Sequence, residues 1–175
     1  YGVIADPVGH SLSPVVHNAA CAAAGIDAVY LPFLIPKGHV GDFLKEAKRW
    51  PLVGLSVTIP HKESVIEFAS SQGELVEEIG AVNTISFVGE TKEIKVANTD
   101  VTAAVAAIQE SLAAQDVGFG GRLGLKTAII LGAGGVARAI AFGLRKQGVE
   151  VTITSRTAGR AQALAELVSG KVVDW

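Results

Sequence analysis

Apolar residues along this chain come alternately in short continuous runs and in runs with helical spacing, a pattern that predicts repeated strand-helix units. Tyr1 to Ala5 reads as a buried strand. Ser13 then offers an N-cap and Pro14 a first helical residue for a helix running to about Gly25. Val29 to Ile35 reads as strand, Val40 to Trp50 as a helix through Val40, Phe43, Leu44 and Ala47, and Leu52 to Ile59 as strand again. Pro60 ends that strand, after which His61 to Ser70 predicts a helix and Glu74 to Ile79 a short acidic one. Val82 to Val88 and Glu93 to Ala97 flank Gly89, Glu90, Thr91 and Lys92, a hairpin turn. An Ala-rich helix follows from about Val101 to Ala114.

Gly118, Gly120, Gly121 and Gly124 mark a connection, and from Lys126 the pattern restarts. Thr127 to Leu131 reads as strand, Val136 to Gln147 as helix, Glu150 to Thr154 as strand and Gly159 to Val168 as helix, while Val172, Val173, Asp174 and Trp175 look like the start of a further strand. The doubled pattern predicts an α/β fold in two parts, 1–120 with a mainly parallel sheet and 121–175, with the boundary near Gly120.

Composition narrows the class. With 49% hydrophobic and 18% charged residues over 175 positions, the chain can bury a core and is not disordered. A net charge of −2 without a basic block argues against nucleic acid as a main partner and favours a small molecule. Cys21 is the single cysteine, which excludes an intrachain disulfide, and its apolar helical setting reads as core packing. The longest apolar stretch, Ala128 to Leu144, is interrupted by four glycines and Arg138, so no membrane span is predicted. With no signal peptide ahead of the first strand, a soluble, cytoplasmic protein is expected, and no metal site. The chain contains no methionine and starts inside an apolar strand, which reads as a piece cut from something longer.

The sharpest local motif is Gly132, Ala133, Gly134, Gly135, Val136, Ala137, a G-x-G-x-x-A loop between a predicted strand and a predicted helix. Gly132 permits the tight turn, Gly134 lets the backbone approach a pyrophosphate, and Ala137 lets helix and strand pack closely, while helix N–H groups face the anion. At the end of the next strand, where an NAD-selective site places Asp or Glu, stand Ser155, Arg156 and Thr157, with Arg160 beyond. Guanidinium groups complement a 2′-phosphate, which favours NADP and makes 121–175 the start of a Rossmann-type domain.

The first part carries polar clusters where strands end and helices or turns begin. Ser11 and Ser13 supply hydroxyls, Thr58, Asn83 and Asp100 can read hydroxyls or a carboxylate, and Lys62 is the nearby cation able to transfer a proton. Taken singly, Ser13 is also a helix cap, Lys62 a first-turn surface lysine, Asn83 a turn former and Asp100 an N-cap.

In their order, Gly9 to Pro14, Ser56 to Lys62, Gly80 to Thr84, Asn98 to Asp100, the glycine loop and Ser155 to Thr157 together resemble the shikimate dehydrogenase family, over essentially the whole chain. Tyr1 to His10 also looks like the shikimate dehydrogenase half of bifunctional fusions with 3-dehydroquinate dehydratase. The resemblance implies a substrate-binding and catalytic domain over 1–120 and a reversible NADPH-dependent reduction of 3-dehydroshikimate to shikimate. It assigns the substrate carboxylate to Ser11 and Ser13, the ring hydroxyls to Thr58, Asn83 and Asp100, and catalysis to the pair Lys62 and Asp100. It also implies a further segment completing the nucleotide site and supplying a late helix with a substrate-contacting Gln. Val101 departs from the pattern, since many members have glycine there.

Competing expectations are a quinate or dual-specificity dehydrogenase on the same scaffold, a methylenetetrahydrofolate dehydrogenase-like reductase, and a noncatalytic piece that only binds the polyol acid. The paired serines and the cluster Asn98, Thr99, Asp100 argue against the folate enzyme.

Overall fold

Strand β1 (Gly2–Ala5) is buried at all of its positions, as expected of a strand covered on both faces. It forms the centre of a parallel trio with β2 (Leu31–Leu34) and β3 (Gly54–Val57). These belong to the computed structural model of the chain, which describes residues 1–114 and 126–175. The described chain divides into two compact units, Tyr1–Asn98 and Thr99–Trp175.

In the first unit, helix α1 (Ser13–Ala23) links β1 to β2, and α2 (Val40–Ala47) links β2 to β3. Val40, Leu44 and Ala47 recur at i, i+4 and i+7 on α2, and all three are buried. Each apolar side chain taken fully out of water contributes about 1.5–3 kcal/mol. Beyond β3 come a two-residue strand β4 (Ser71–Gln72), helix α3 (Glu74–Ile79), and the hairpin of β5 (Thr84–Val88) and β6 (Glu93–Ala97). Ile85, Phe87, Ile94 and Val96 are buried while Ser86, Val88, Glu93 and Lys95 face water, the period-two alternation of a sheet with one covered face. The six strands run in the order β2-β1-β3-β5-β6-β4. β5 is antiparallel to β3 and β6, and β4 is parallel to β6.

The second unit starts with helix α4 (Asp100–Ala114) and continues as β7 (Thr127–Leu131), α5 (Gly135–Lys146), β8 (Glu150–Thr154), α6 (Ala158–Val168) and β9 (Lys171–Val172). Its three strands are all parallel, so β7-α5-β8-α6-β9 is the mononucleotide-binding half of a Rossmann arrangement. Val151 and Ile153 of β8 pack with Ala161, Leu164 and Val168 of α6, and with Leu144 of α5, in its core.

Several expectations are corrected. Residues 61–70 form no α-helix: hydrogen bonds from Ile66, Phe68 and Ala69 reach back three residues, to Glu63, Val65 and Ile66, leaving one 3-10 turn over Ile66–Phe68. The chain there is then drawn into the sheet, with Ser70 N–H donating to the Ile94 carbonyl at 2.8 Å. Ser13 is the first residue of α1, not its cap; Leu12 occupies that position and makes no side-chain capping bond. Cys21 is half-buried on a helix with no buried residue, so it is not a core side chain. Helix α4 groups with the second unit through packing of Val101 and Val105 on Gly143. The boundary expected near Gly120 lies outside the described residues.

Among the described residues, no helix is long and apolar enough to cross a membrane, and no group of His, Cys, Asp or Glu could hold a metal ion.

Candidate functional site

Because β1, β3 and β6 run one way and β5 the other, the segments after β1, after β3, before β5 and after β6 share one end of the first sheet. Crevices outside the carboxyl ends of parallel strands are where α/β sheets bind ligands. All the polar clusters of the first unit fall on those segments.

Backbone hydrogen bonds lock them together. Thr58 N–H donates to the Ile4 carbonyl at 3.2 Å and Asp6 N–H to the Ile59 carbonyl at 3.0 Å, tying the exits of β1 and β3. Val57 N–H donates to the Asn83 carbonyl at 2.8 Å, and Asn83 N–H to the Ala97 carbonyl at 3.1 Å. Val82 N–H reaches the carbonyl oxygen of Lys62 at 2.7 Å. Asn98, buried to 5% exposure, donates from Nδ2 to the Ala81 carbonyl at 2.9 Å. Ser11 Oγ accepts from the Ser13 N–H at 3.3 Å, and Asn83 Oδ1 from the Thr84 hydroxyl at 2.8 Å.

This scaffold leaves Ser11, Ser13, Thr58, Lys62 and Asn83 half-buried, open enough to meet a ligand and anchored enough to hold a geometry. Beside Lys62, His61 is buried at 1% exposure with Nε2 2.7 Å from the Ile35 carbonyl, fixing the turn on which the lysine rides. Asp100, also half-buried, opens α4 in the second unit. A cavity of about 390 Å³ against α2, walled by Leu44, Phe68 and Ile94, includes none of these residues.

In the second unit, Gly132 holds φ +115°, a conformation open to glycine, and its N–H donates to the Thr154 carbonyl at 2.7 Å. A Cβ at Gly132 or Gly134 would meet nothing within 4 Å, so the space in front of the loop is open to a ligand. Gly134 occupies the N-cap of α5 without a side-chain cap, leaving first-turn N–H groups to an anion, and Gly135 and Val136 open the helix. Ala133 and Ala137 pack into the core of the unit. Across the loop, Ser155 Oγ accepts from the Thr157 N–H at 3.3 Å, and Thr157 is the N-cap of α6. Arg156 and Arg160 are exposed, and the first turn of α6 holds no acid to repel a phosphate. The Thr154 hydroxyl at the end of β8 is buried without a hydrogen-bond partner among the described residues. This donor set fits a phosphorylated dinucleotide: open glycine backbone for the pyrophosphate, guanidinium groups for a 2′-phosphate.

Tyr30 was not among the motif residues, yet it joins three elements. Asn18 of α1 brackets its backbone, accepting from its N–H at 2.8 Å and donating to its carbonyl at 2.9 Å. Its hydroxyl donates to Ser56 Oγ on β3 at 2.7 Å, and His17 stacks on its ring at 4.4 Å. Burial raises the phenol above its usual value of 10.0, and the Ser56 hydrogen bond offsets part of that rise.

Two family models match the chain. One described as the shikimate dehydrogenase substrate binding domain covers residues 3–85, and one described as shikimate / quinate 5-dehydrogenase covers 111–174. The NADP(+)-dependent shikimate dehydrogenase of Haloarcula marismortui is 43% identical over 168 residues, 96% of this chain and 59% of its own length. The bifunctional 3-dehydroquinate dehydratase/shikimate dehydrogenase of Arabidopsis thaliana is 35% identical, over 99% of this chain and 29% of its own. The crystal structure of shikimate 5-dehydrogenase from Thermus thermophilus with NADP(H) and shikimate superposes with a TM-score of 0.80 at 35% identity, over 98% of this chain and 61% of that one. The chain spans 56–59% of the length of the first archaeal relatives it matches.

Proposed function

The chain belongs to the shikimate dehydrogenase family, and from that premise we propose that it takes part in the reversible NADPH-dependent reduction of 3-dehydroshikimate to shikimate, a step of aromatic amino-acid biosynthesis. The first compact unit, Tyr1–Asn98, is read as the substrate-binding part, and the glycine loop with the β8-α6 turn of the second unit as the start of the NADP-binding domain. The cytoplasm is the expected compartment, and the Arabidopsis relative is fused to a 3-dehydroquinate dehydratase.

One observation supports the reading: backbone hydrogen bonds tie the exits of β1 and β3 to each other and to the entry of β5, the segments on which Thr58, Lys62 and Asn83 stand, while Ser11 and Ser13 follow β1. In this reading the hydroxyls of Ser11 and Ser13 donate to the substrate carboxylate, while Thr58 and Asn83 read ring hydroxyls. Asp100 reads a further hydroxyl and pairs with Lys62 in catalysis.

NADPH supplies the hydride, and Gly132 to Ala137 with Ser155, Arg156, Thr157 and Arg160 are the residues that would hold it. Charge builds on the carbonyl oxygen as the ketone is reduced, and the Lys62 ammonium stabilises that oxygen and then protonates it. In the reverse direction neutral Lys62 accepts the hydroxyl proton.

The test is an NMR titration of the labelled chain with shikimate, with quinate and with NADP+, each alone. Selective shifts at Ser11, Thr58, Lys62 and Asn83 with shikimate, and at Gly132 to Ala137 with NADP+, are expected. A folded chain whose signals ignore both ligands would overturn the reading. Equal response to quinate would move the assignment to a dual-specificity enzyme, a reading that the shikimate / quinate description of the second matched model also supports. Binding of shikimate without any response to NADP+ would leave a substrate-binding module.

A further inference from the structure

Helix α1 carries no buried residue, so apolar packing does little to hold it. Its first turn nonetheless follows directly on Ser11 and includes Ser13, whose positions must be fixed if they are to read a carboxylate. Two polar or aromatic side chains of α1, His17 and Asn18, reach Tyr30. Asn18 closes a two-point bracket on its backbone, and His17 lies over its ring at an interplanar angle of 15°. Tyr30 is itself anchored, being 5% exposed and placed immediately before β2.

The other end of Tyr30 reaches β3. Its hydroxyl meets Ser56 Oγ at 2.7 Å, and Ser56 precedes Thr58 by two residues, so along an extended chain the two side chains project to the same side. Ser56 is held in register by Val3 on one side and Thr84 on the other. Tyr30 thus connects a weakly packed helix to a strand paired on both of its sides.

The geometry points to Tyr30 as a positioning residue that sets the serines at the start of α1 against Thr58 and Lys62 at the exit of β3, acting through Asn18 on one side and Ser56 on the other. The assignment rests on the proposed substrate reading for its ligand, but the mechanical tie is a property of the unliganded chain. Tyr30 makes no contact with the reacting atoms in this scheme; it controls where the carboxylate-reading hydroxyls stand.

The test uses Tyr30→Phe, which keeps ring, stacking and backbone bracket and removes one oxygen, with Ser56→Ala as the reciprocal change. Without ligand, amide hydrogen exchange across Ser13 to Asn18 should rise about tenfold in either variant and no further in the double variant, while the β5-β6 amides stay unchanged. With ligand, shikimate should bind about tenfold more weakly to Tyr30→Phe, whereas its uncharged methyl ester should bind as it does to the wild type. A simply destabilised chain would weaken acid and ester alike and expose amides throughout the unit, and either pattern overturns the proposal. So would unchanged exchange in α1. A wild-type chain that binds no shikimate would sink the substrate reading instead, and the exchange measurement would still decide the role of Tyr30.

Discussion

The carbonyl oxygen of Lys62 accepts the backbone N–H of Val82 at 2.7 Å, so the turn carrying the proposed proton donor is bonded to the segment that delivers Asn83. Lys62 and Asn83 lie 21 residues apart in sequence, yet one hydrogen bond and the Val57-Asn83 contact at 2.8 Å fix their backbones to a common frame. Preorganisation of this kind lets a cation face a developing oxyanion without reorganising at the moment of reaction.

Replacing Lys62 with alanine leaves that backbone bond intact and removes only the ammonium. In a polypeptide that contains this chain extended to the length of its relatives, kcat for NADP+-dependent oxidation of shikimate should fall by about 10² or more with little change in KM. Steady-state kinetics check it, and an unchanged kcat would remove Lys62 from the chemistry.

Arg156→Asp should shift cofactor preference from NADP+ toward NAD+. A hydrogen bond to a charged group is worth about 1.5–3 kcal/mol, so losing the guanidinium lowers the NADP+ over NAD+ affinity ratio about tenfold or more. The new carboxylate repels a 2′-phosphate and can accept from a ribose hydroxyl. Titration of the chain with both nucleotides measures the ratio, and an unaltered value would mean that the 2′-phosphate is read elsewhere.

Much of this arrangement could be read from local sequence, and the exceptions share a cause. β1, the β5-β6 hairpin and the β7-α5-β8-α6 run each announce themselves by period and by turn residues within one window. β4 does not, because Ser71 and Gln72 form no apolar run and are strand only through pairing with Lys95 and Val96. Residues 61–70 contain helix-forming spacing but are pulled away by that same pairing and by burial of His61. In the candidate site, Ser11, Thr58, Lys62 and Asn83 stand in recognisable motifs, whereas Tyr30 acts on Ser56 across 26 residues and leaves no local trace. The one hint was a polar pair, His17 and Asn18, inside an otherwise apolar helix.

The buried phenol of Tyr30 also predicts an alkaline limit for the first unit. Its folded value is raised above 10.0 chiefly by desolvation, with the Ser56 hydrogen bond opposing. Above about 10 the unfolded chain ionises this phenol while the folded one still holds the proton, so stability that is complete below that pH declines as pH rises toward the folded value. Urea midpoints measured on either side of that pH should therefore fall more steeply with pH for the wild type than for Tyr30→Phe. Parallel slopes would mean that the phenol ionises alike in both states.

Gly143→Ala tests the packing that assigns α4 to the second unit. Gly143 lies inside α5, where exchanging glycine for alanine in an unobstructed helix is worth up to about 1 kcal/mol in favour of alanine. Here the added Cβ would stand 2.7 Å from Val105 Cγ2 and 3.0 Å from Val101 Cγ1, on side chains that are stiff at χ1 in a helix. Neither valine can rotate away, so the helices must separate, and overpacking of this kind costs about 1–3 kcal/mol. The cost outweighs the helical gain, and the second unit should lose up to about 2 kcal/mol, read from urea unfolding of its amide signals. The first unit should be unmoved in the same experiment, since the clash involves only α4 and α5. A variant more stable than the wild type would instead mean that the α4-α5 contact yields easily and that helix propensity at residue 143 decides the outcome.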